Sequence, residues 1–487
     1  MLKREHKLLI LIFLAVLGFR LYFAFQTENF SSDNAYFNIR HTEYINLNLK
    51  PMVYDELSYG GRNIINSHVF HYFLSFFNAF HSVIAFKLLP EILLALMVVA
   101  VYFIAESITK NPLASLLSAL ASGFVPIFVT ETLNQASIYS VILPLFFYQF
   151  YCMLNLDRNI NQFIVLSFIL PLIHPIGFLF SIMLLVYILL LEIDYTSPEP
   201  LTREAVLFST LIGLLLNIII YKKVFLVSGL YSVWQNVPSG LLSAYFKNVN
   251  IFDIIVNIGI AILFFGIIGL LIGIYKQRSR TIYLLSAMIM TAFTLLFLRM
   301  INFQVGIMLL GLLMAIVASI GFDRLIKYIE MTKFAKAKVL ILLAVFLLIF
   351  VTTLLPSYLS ARDLIGKTIS KDEIDALIWL KENTPESSTV LADVDEGNYV
   401  TYFARRKNVI DSLFVLAPNR YDDVRLAFET QSLVKALDII SKYDVDYIYL
   451  SERASKSHNG EAMKYINDAC FRERYSNELA KVYKVLC

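Results

Sequence analysis

Long apolar runs separated by short polar connections dominate the first three quarters of the chain. About eleven runs are long enough to cross a hydrocarbon core of about 30 Å as helices. Helices are expected because a lone strand cannot satisfy its backbone hydrogen bonds in lipid. The pattern therefore predicts an α-helical polytopic membrane protein with about 11 to 13 transmembrane helices. The predicted spans are Leu8–Phe25, Phe86–Ala105, Leu113–Val129, Ile138–Leu154, Phe163–Ile173, Ile176–Leu191, Ala205–Tyr221, Ile251–Tyr275, Ile282–Leu298, Val305–Phe322 and Val339–Leu355.

Polar composition returns in two places, and both are predicted to lie outside the membrane. Residues 26–85 form a long first outer loop, whose amphipathic and aromatic character favours short helices at the membrane interface. The last part of the chain has the mixed pattern of a soluble α/β domain. The sequence therefore divides into a transmembrane domain, 1–356, and a soluble domain, 357–487. The elements expected in the soluble domain are helices at Asp372–Asn383 and Ser432–Tyr443 and strands at Thr389–Ala392, Val445–Leu450 and Lys481–Leu486.

Composition and charge locate the chain and orient it. With 58% hydrophobic residues, the chain is too apolar for a soluble globular protein. A net charge of +3 produces no global field that would attract nucleic acid. Basic residues collect in the connections on the side of the N-terminus, which predicts a cytoplasmic N-terminus in a cell membrane. The Asp33 loop, the Thr130–Ser137 turn, His174, Arg299 and the soluble domain would then share the extracytoplasmic face.

Three cysteines do not make a disulfide framework. Cys470 and Cys487 lie in the polar tail, where they either form one bridge or remain free thiols. The sequence has no glycine-rich phosphate-binding loop and no serine–histidine–aspartate arrangement. These absences argue against a reaction that is fuelled by a nucleotide.

Asp33 is the first candidate for chemistry, because it is a lone carboxylate just beyond the first predicted span. A carboxylate at the mouth of a membrane cavity can act as a general base or hold a metal ion. The alternative is a solvated cap at the start of a helix that includes Tyr36, Ile39 and Arg40. The residue by itself does not separate these two interpretations.

The segment Ser32–Ile45 resembles the first-loop motif in the catalytic subunits of archaeal and bacterial oligosaccharyltransferases, in which an acid is followed by an aromatic residue, Asn or His, and Arg. Tyr54–Arg62 is similar to the second half of that loop. The family belongs to the GT-C glycosyltransferases, which use sugars carried on polyprenyl or dolichyl phosphates. By this resemblance Asp33 would be the catalytic acid, and the fold would be GT-C-like with a C-terminal α/β domain.

The resemblance extends to Arg299, which looks like the arginine that grips the phosphate of the lipid-linked donor in this family. A guanidinium can bind phosphate oxygens with two hydrogen bonds and stabilise charge on the leaving group. The alternative is an interfacial arginine whose stem is buried and whose head reaches water. We favour donor binding, because the position fits both the outer face and the motif.

The sequence departs from the family at its acceptor motif. Trp379–Pro385 and the following strand are similar to the start of the family's soluble domain, where a Trp-Trp-Asp-Tyr-Gly signature comes next. Here the segment reads Asp393-Val-Asp-Glu-Gly397, so Asp395 and the glycine match but both tryptophans and the tyrosine are absent. This departure argues against recognition of an Asn-x-Ser/Thr acceptor.

The family's metal-binding acids are also missing. The turn after the third span places Asn134 near the expected acidic positions, and Glu131 could substitute only if the next helix began one turn earlier. Gln235 stands where a second motif has a glutamate, and an amide is a weaker ligand for a hard cation than a carboxylate. We therefore assign no cofactor and expect no full metal site; a divalent ion such as Mg²⁺ or Mn²⁺, if bound, would be held by Asp33 and Glu131.

His174, before a proline between two spans, could touch the donor or act as a base, but a hydrogen-bonded histidine at a broken helix end is the favoured interpretation. The leading hypothesis is a membrane glycosyltransferase that moves a sugar or glycan from a polyprenyl- or dolichyl-phosphate donor. The acceptor would be a protein, glycan or lipid on the extracytoplasmic face. Contacts with acceptor or donor are expected from Glu131, Asn134, His174, Gln235 and Asp395. The alternative is a non-catalytic relative that binds lipid-linked glycan or assists a transferase; a transporter is disfavoured because no matched pair of broken helices is present.

Overall fold

The computed structural model of the chain describes residues 3–65, 67–228, 250–414, 417–458, 460 and 462–487. These residues form two compact units. The first contains residues 3–27, 67–222 and 250–366, and the second contains residues 28–65 and 367–487 with the gaps given above. The expected division after residue 356 falls at the start of the Leu355–Gly366 helix, whereas the units separate after Gly366.

The first unit is helical. Within the described ranges, nine helices are long and apolar enough to cross a membrane, and a tenth span is present if the bent pair Pro112–Gly123 and Pro126–Thr132 is one element. The remaining predicted run forms the shorter apolar helix Tyr139–Leu154. Each predicted run thus corresponds to a helix. The bounds are Arg4–Ala24, Val69–Asn78, Ile84–Leu88, Leu89–Ala95, Met97–Thr109, Pro112–Gly123, Pro126–Thr132, Tyr139–Leu154, Leu156–Ile173, Ile176–Ile193, Pro200–Ser228, Ile251–Ile258, Ile260–Ile272, Gly273–Gln277, Arg280–Phe297, Phe303–Met331, Lys333–Ala337, Lys338–Ile349, Phe350–Leu354 and Leu355–Gly366.

One predicted run is broken in the structure. The run expected as a single span over Ile251–Tyr275 ends as a helix at Ile258 and begins again at Ile260. Gly259 separates the two helices with a φ of 102°, a backbone conformation that side chains rarely adopt. A Cβ added at position 259 would also lie 2.5 Å from the Thr353 methyl group, so glycine is required at the break.

The Phe303–Met331 helix forms the centre of the first unit, and most of its residues are buried. It packs closely against the Ile260–Ile272 helix because small residues lie at the contact. A Cβ on Gly321 would lie only 2.4 Å from the backbone oxygen of Phe265. Backbone approaches of this kind are typical of helices that associate in a membrane, where lipid is as apolar as the side chains.

The second unit is an α/β fold with two sheets. The hairpin pairs β1 (Tyr54–Asp55) with β2 (Arg62–Asn63). The larger sheet contains β3 (Thr389–Leu391), β4 (Lys407–Asn408), β5 (Tyr447–Ser451), β6 (Phe471–Ser476) and β7 (Ala480–Val485). Its strands have the order β4-β3-β5-β7-β6, in which β3 is parallel to β4 and β5, whereas β7 is antiparallel to β5 and β6. The helices of this unit are Asp33–Asn48, Ser58–Gly60, Lys371–Asn383, Val394–Glu396, Gly397–Tyr399, Val400–Ala404, Pro418–Glu429, Leu433–Lys442 and Glu452–Ser457.

The helices and strands predicted in the tail, residues 357–487, match elements of this unit, and their ends differ by at most about two residues. Of the two alternatives for the tail cysteines, the structure has the bridge, with Cα atoms of Cys470 and Cys487 5.0 Å apart. The bridge ties the chain end to the residue that precedes β6.

The first polar segment is an integral part of the second unit, because its hairpin is bound by a buried carboxylate of the tail. Asp411 forms an ion pair with Arg62 at 3.1 Å and accepts a hydrogen bond from the Ser58 hydroxyl at 2.7 Å. The backbone N–H of Tyr59 donates to the Asn408 side chain at 2.7 Å. Removing a partner from a buried ion pair of this kind is expected to cost about 3 to 5 kcal/mol.

Candidate active site around Asp33

Asp33 is the first residue of the Asp33–Asn48 helix, and it does not cap it. The cap is Ser32, whose hydroxyl accepts a hydrogen bond from the Asn34 N–H at 3.2 Å. The interpretation of Asp33 as a solvated cap is therefore wrong, because only 6% of the residue is exposed. A buried carboxylate requires partners, and here they come from the tail.

Two tail residues donate hydrogen bonds to the Asp33 carboxylate. The Asn398 side-chain amide lies 2.5 Å from Oδ2, and the Tyr399 backbone N–H lies 2.9 Å from Oδ1. The Ser412 hydroxyl lies 3.3 Å from Oδ2 and 2.7 Å from the Asn34 side-chain oxygen. The groups that contact the Asp33 carboxylate are thus N–H and O–H donors, which fit a carboxylate.

Burial raises the pKa of Asp33 well above its ordinary value. The Asn398 hydrogen bond lowers the pKa, the nearby Asp411 and Asp395 carboxylates raise it, and the Tyr399 N–H lowers it. The raising causes prevail. A carboxylate whose pKa is raised accepts a proton more readily than a solvated aspartate does, which is the property that a general base needs.

The fold of the predicted acceptor motif explains how Asn398 reaches Asp33. The Val394–Glu396 turn is followed by Gly397, which lies directly against the backbone of Ile410. A Cβ on Gly397 would lie 1.9 Å from the Ile410 backbone oxygen, so only glycine fits. The Asn408 side chain fixes the same turn by donating to the Gly397 oxygen at 2.9 Å. The glycine that matches the family signature therefore has a clear packing role.

Asp395 belongs to this turn, but its side chain is exposed. It is close enough to Asp33 to raise the pKa of that group. Asp33 and Asp395 thus lie in the same unit, and their membership of one site stays a prediction. Asn398 was not predicted, and the residue type alone carries no signal that would have identified it.

Aromatic side chains cover the helix face around Asp33. The Tyr36 ring contacts the rings of Tyr399, Tyr402 and Phe403 at centroid distances of 5.0 to 5.2 Å. Arg453 lies over the Tyr399 ring and pairs with Glu373 at 3.1 Å. This packing holds Tyr399, and with it the N–H that binds Asp33, in a fixed position.

In the first unit, the turn with Glu131 and Asn134 is anchored by a buried ion pair. Arg20 Nε lies 2.6 Å from Glu91, and the Arg20 guanidinium donates to the Thr132 hydroxyl at 3.0 Å. The other Glu91 oxygen accepts the Asn134 backbone N–H at 2.7 Å. Asn134 is buried, so its observed contact is structural. The Arg20–Glu91 pair was not predicted, although Arg20 is the one charge inside the first predicted span.

Glu131 lies in the last turn of the Pro126–Thr132 helix, so it does not cap the start of the next helix, which begins at Tyr139. It is partly exposed. Tyr139 contacts His174 with ring centroids 6.0 Å apart. His174 ends the Leu156–Ile173 helix, and its Nδ1 accepts the Ile176 N–H at 3.2 Å, as favoured from the sequence.

Arg299 adopts an unusual backbone conformation at the end of the Arg280–Phe297 helix. Its φ is 60°, in the left-handed region. The Met300 N–H bonds the Leu295 oxygen at 2.9 Å and the Arg299 N–H bonds the Leu296 oxygen at 3.1 Å, which is the Schellman pattern of helix ends. Glycine is usual at this position, because a side chain costs about 1 to 2 kcal/mol there. The arginine is thus retained at a cost to stability.

The predicted site residues fall into different units. Asp33 and Asp395 lie in the second, whereas Glu131, Asn134, His174 and Arg299 lie in the first. Gln235 lies outside the described residues. In the second unit, Asp411 is engaged by Arg62 and by the Leu413 N–H, and Asp33 is engaged by Asn398 and Tyr399. Asp33 and Glu131, the predicted holders of a divalent ion, lie in different units, and no chemical step is assigned to a metal.

Comparisons with solved structures place this fold. The oligosaccharyltransferase of Archaeoglobus fulgidus, tethered with an acceptor peptide containing the NVT sequon, matches with a TM-score of 0.69 at 14% identity, over 99% of this chain and 74% of that chain. AglB from the same organism, in complex with an inhibitory peptide and a dolichol-phosphate, matches with a TM-score of 0.66 at 14% identity, over 91% and 69%. ArnT from Cupriavidus metallidurans, bound to undecaprenyl phosphate, matches with a TM-score of 0.60 at 11% identity, over 97% of both chains.

No family model and no curated protein matches the chain. The solved structures nevertheless cover nearly all of it, including the membrane helices and the α/β tail. The predicted architecture, a polytopic helical membrane protein with a C-terminal α/β domain, is confirmed. The chain therefore has a fold similar to those of the Archaeoglobus fulgidus oligosaccharyltransferase and of ArnT, and the resemblance to oligosaccharyltransferases that its motifs predicted is confirmed at the level of the fold.

Proposed function

We propose that this multi-pass membrane protein is a glycosyltransferase that moves a sugar or glycan from a polyprenyl- or dolichyl-phosphate donor to an acceptor. The acceptor would be a protein, glycan or lipid on the extracytoplasmic face, with the N-terminus in the cytoplasm. The observation that carries the proposal is Asp33, a buried carboxylate of raised pKa that follows the first apolar helix in a GT-C fold. Structures of similar fold contain dolichol-phosphate or undecaprenyl phosphate, which supports a donor of this class.

In the proposed reaction, an acceptor hydroxyl attacks the anomeric carbon of the donor sugar. The new bond joins the acceptor oxygen to that carbon, and the bond from the carbon to the phosphate oxygen breaks. The proton of the hydroxyl passes to the Asp33 carboxylate, and the lipid phosphate leaves with the electron pair of the broken bond. The raised pKa of Asp33 suits this transfer, since general bases work best when their pKa approaches the working pH.

Arg299 is proposed to bind the phosphate of the donor and stabilise the charge that develops as it leaves. A guanidinium offers parallel N–H donors that match phosphate oxygens. The support for this role is the resemblance of the sequence around Arg299, at the end of the Arg280–Phe297 helix, to the donor-binding motif.

The hydrogen bonds that Asn398 and Tyr399 donate to Asp33 set a requirement on the acceptor. A hydroxyl that gives its proton to Asp33 must first donate a hydrogen bond to one of the carboxylate oxygens. We propose that the acceptor takes the place of the Asn398 amide on Oδ2, while the Tyr399 N–H keeps Oδ1 in position. The tail would then orient the base and respond to acceptor binding.

A second candidate function is binding of a lipid-linked glycan without transfer, as an accessory to a separate transferase. The observation that favours it is the near-complete engagement of Asp33, whose two oxygens both accept hydrogen bonds from the tail. This candidate predicts binding of polyprenyl phosphate by the purified chain with no glycosylated product.

The experiment supplies membranes containing the wild-type chain, Asp33→Ala or Arg299→Ala with a labelled polyprenyl-phosphate sugar. We expect labelled acceptor with the wild-type chain and at least a hundredfold less with Asp33→Ala, since positioned acid–base groups contribute about 10²–10⁴-fold. Arg299→Ala should lose about a hundredfold, since it removes the cation that is proposed to stabilise the leaving phosphate. Equal product from all three samples would refute the proposed roles. Product from the purified chain alone would exclude the accessory function.

A further inference from the structure

A cavity of about 240 Å³ lies in the second unit, and Asp33 is not among the residues that line it. Two of its walls come from residues next to the Asp33 site. Phe37 follows Asp33 by one helical turn, so the two side chains lie on the same face of the helix. Leu413 follows Ser412, whose hydroxyl lies 3.3 Å from the Asp33 carboxylate. The cavity and the Asp33 site are therefore bordered by neighbouring residues on the same helix and on the same loop.

Two arginines give the cavity its charge, and both lie over the ring of Tyr59. The guanidinium carbons of Arg62 and Arg420 lie 4.1 Å and 5.6 Å from the centre of the Tyr59 ring. Arg62 is held in place by Asp411 and by the Leu413 oxygen. Its Nε is buried and has no hydrogen-bond partner among the residues that the structure describes.

Arg420 retains more of its capacity to bind an anionic ligand than Arg62 does. One guanidinium nitrogen donates to the Val409 oxygen at 3.0 Å, and the group lies over the Tyr443 ring at 4.7 Å. Across the described ranges, no carboxylate forms an ion pair with it. Since a guanidinium has five N–H donors, most of those on Arg420 remain for a ligand. Asp411 offsets the charge of Arg62, so the charge of Arg420 leaves this cavity with a net positive charge.

The remaining walls are largely apolar, with Ile64, Ile65 and Ala417 beside Phe37 and Leu413. The cavity thus combines an apolar surface with a cationic end, an arrangement that binds a molecule with one anionic group. Planar guanidinium groups bind carboxylate and phosphate oxygens well.

We propose that this cavity is an acceptor subsite, in which Arg420, supported by Arg62, binds an anionic group of the acceptor and directs its hydroxyl to Asp33. This inference rests on the proposed function and narrows the acceptor to a molecule with a carboxylate or a phosphate near the hydroxyl. A neutral acceptor would leave the arginine donors in the cavity unused.

The test measures equilibrium binding of labelled glucuronate, inorganic phosphate and glucose to the purified full chain. At least one anion should saturate the wild-type chain, glucose should not, and Arg420→Gln should weaken anion binding about tenfold, as expected for the loss of about 1.4 kcal/mol. Arg420→Lys keeps the positive charge but not the paired N–H donors of the guanidinium, and it should weaken anion binding to an intermediate extent. Arg425→Gln, on an exposed arginine of the same helix that pairs with Glu429, should bind as the wild type does.

Saturation by glucuronate alone assigns a carboxylate, and saturation by phosphate alone assigns a phosphate. The inference is overturned if neither anion saturates the wild-type chain, or if Arg420→Gln and Arg420→Lys both bind with wild-type affinity. Failure of the proposed function would be distinguishable. In that case no labelled sugar is transferred, while the Arg420-dependent binding of an anion persists.

Discussion

Asn398 and Asp33 are joined by a hydrogen bond of 2.5 Å although 365 residues separate them in the chain. The bond connects the start of the Asp33–Asn48 helix to the residue that follows the Asp393–Gly397 segment. It also lowers the pKa of Asp33, whereas burial raises it. Asn398 is therefore a positioning residue whose removal should change how Asp33 titrates.

Asn398→Ala should move the acidic limb of the kcat/KM profile to higher pH, because kcat/KM reports the enzyme before the acceptor takes the place of the Asn398 amide. The reason is that the ionised form of Asp33 loses a hydrogen bond, so its pKa rises further and a higher pH is needed to ionise the base. The variant should also be less stable by about 1 to 3 kcal/mol. The profile and the melting temperature measure both effects, with Asn419→Ala, an exposed site, as the control. An unshifted limb would show that Asn398 does not act on the base.

Arg299→Gly separates stability from function. The left-handed backbone at Arg299 is unfavourable for a side chain and free of strain for glycine, so the melting temperature should stay the same or rise. Binding of polyprenyl phosphate should nevertheless fall by at least tenfold. The matched control is Arg278→Gly, because Arg278 is exposed and also has a left-handed backbone, with φ of 41°. Retained phosphate binding in Arg299→Gly would exclude the proposed role.

Glu396 should make the stability of the tail depend on pH. Burial raises the pKa of Glu396 to about 8, and the Ser451 hydroxyl donates to its carboxyl group. The folded state therefore holds a proton that the unfolded state releases near pH 4.5, so stability is full below pH 4.5 and declines up to pH 8. The loss amounts to about 5 kcal/mol at most.

Glu396→Gln should remove much of this decline, since an amide does not ionise. Melting temperatures between pH 6 and pH 9 would measure the difference from the wild type, and Glu382→Gln, on an exposed glutamate, is the control. A wild-type slope that persists in Glu396→Gln would assign the pH dependence to another group.

The Arg20–Glu91 pair should be costly to break and cheap to replace. Glu91→Leu leaves the fully buried Arg20 without its carboxylate and should destabilise the protein by about 3 to 5 kcal/mol. The double variant Arg20→Leu/Glu91→Leu should recover much of that loss, because no buried charge remains. Unfolding in detergent measures both. A double variant no more stable than Glu91→Leu would contradict this account.

The sequence was sufficient to predict most of the fold. Every predicted apolar run corresponds to a helix, because lipid leaves few alternatives to a backbone that must satisfy its own hydrogen bonds. In the tail, β6 (Phe471–Ser476) was not predicted, since it is an edge strand with mainly exposed, charged side chains. The Pro418–Glu429 helix was also missed, because its sequence is strongly polar.

The candidate site was predictable only in part. Asp33 was predicted because it directly follows the first predicted span and its segment resembles a motif, and its role stays a prediction. Its hydrogen bonds with Asn398 and Tyr399 could not, since they depend on how distant segments pack. The same holds for the Arg62–Asp411 pair, which makes the first polar segment part of the second unit. Long-range pairing of polar side chains leaves no periodic pattern in a sequence.

The pH dependence of sugar transfer by the purified chain tests the central claim most directly. The account predicts that the wild-type rate rises with pH through an apparent pKa well above that of a solvated aspartate, because burial raises the pKa of Asp33. Asp33→Asn, which preserves size and removes the base, should lose at least a hundredfold in rate together with this rise. A rate and profile in Asp33→Asn equal to those of the wild type would contradict the assignment of Asp33 as the base.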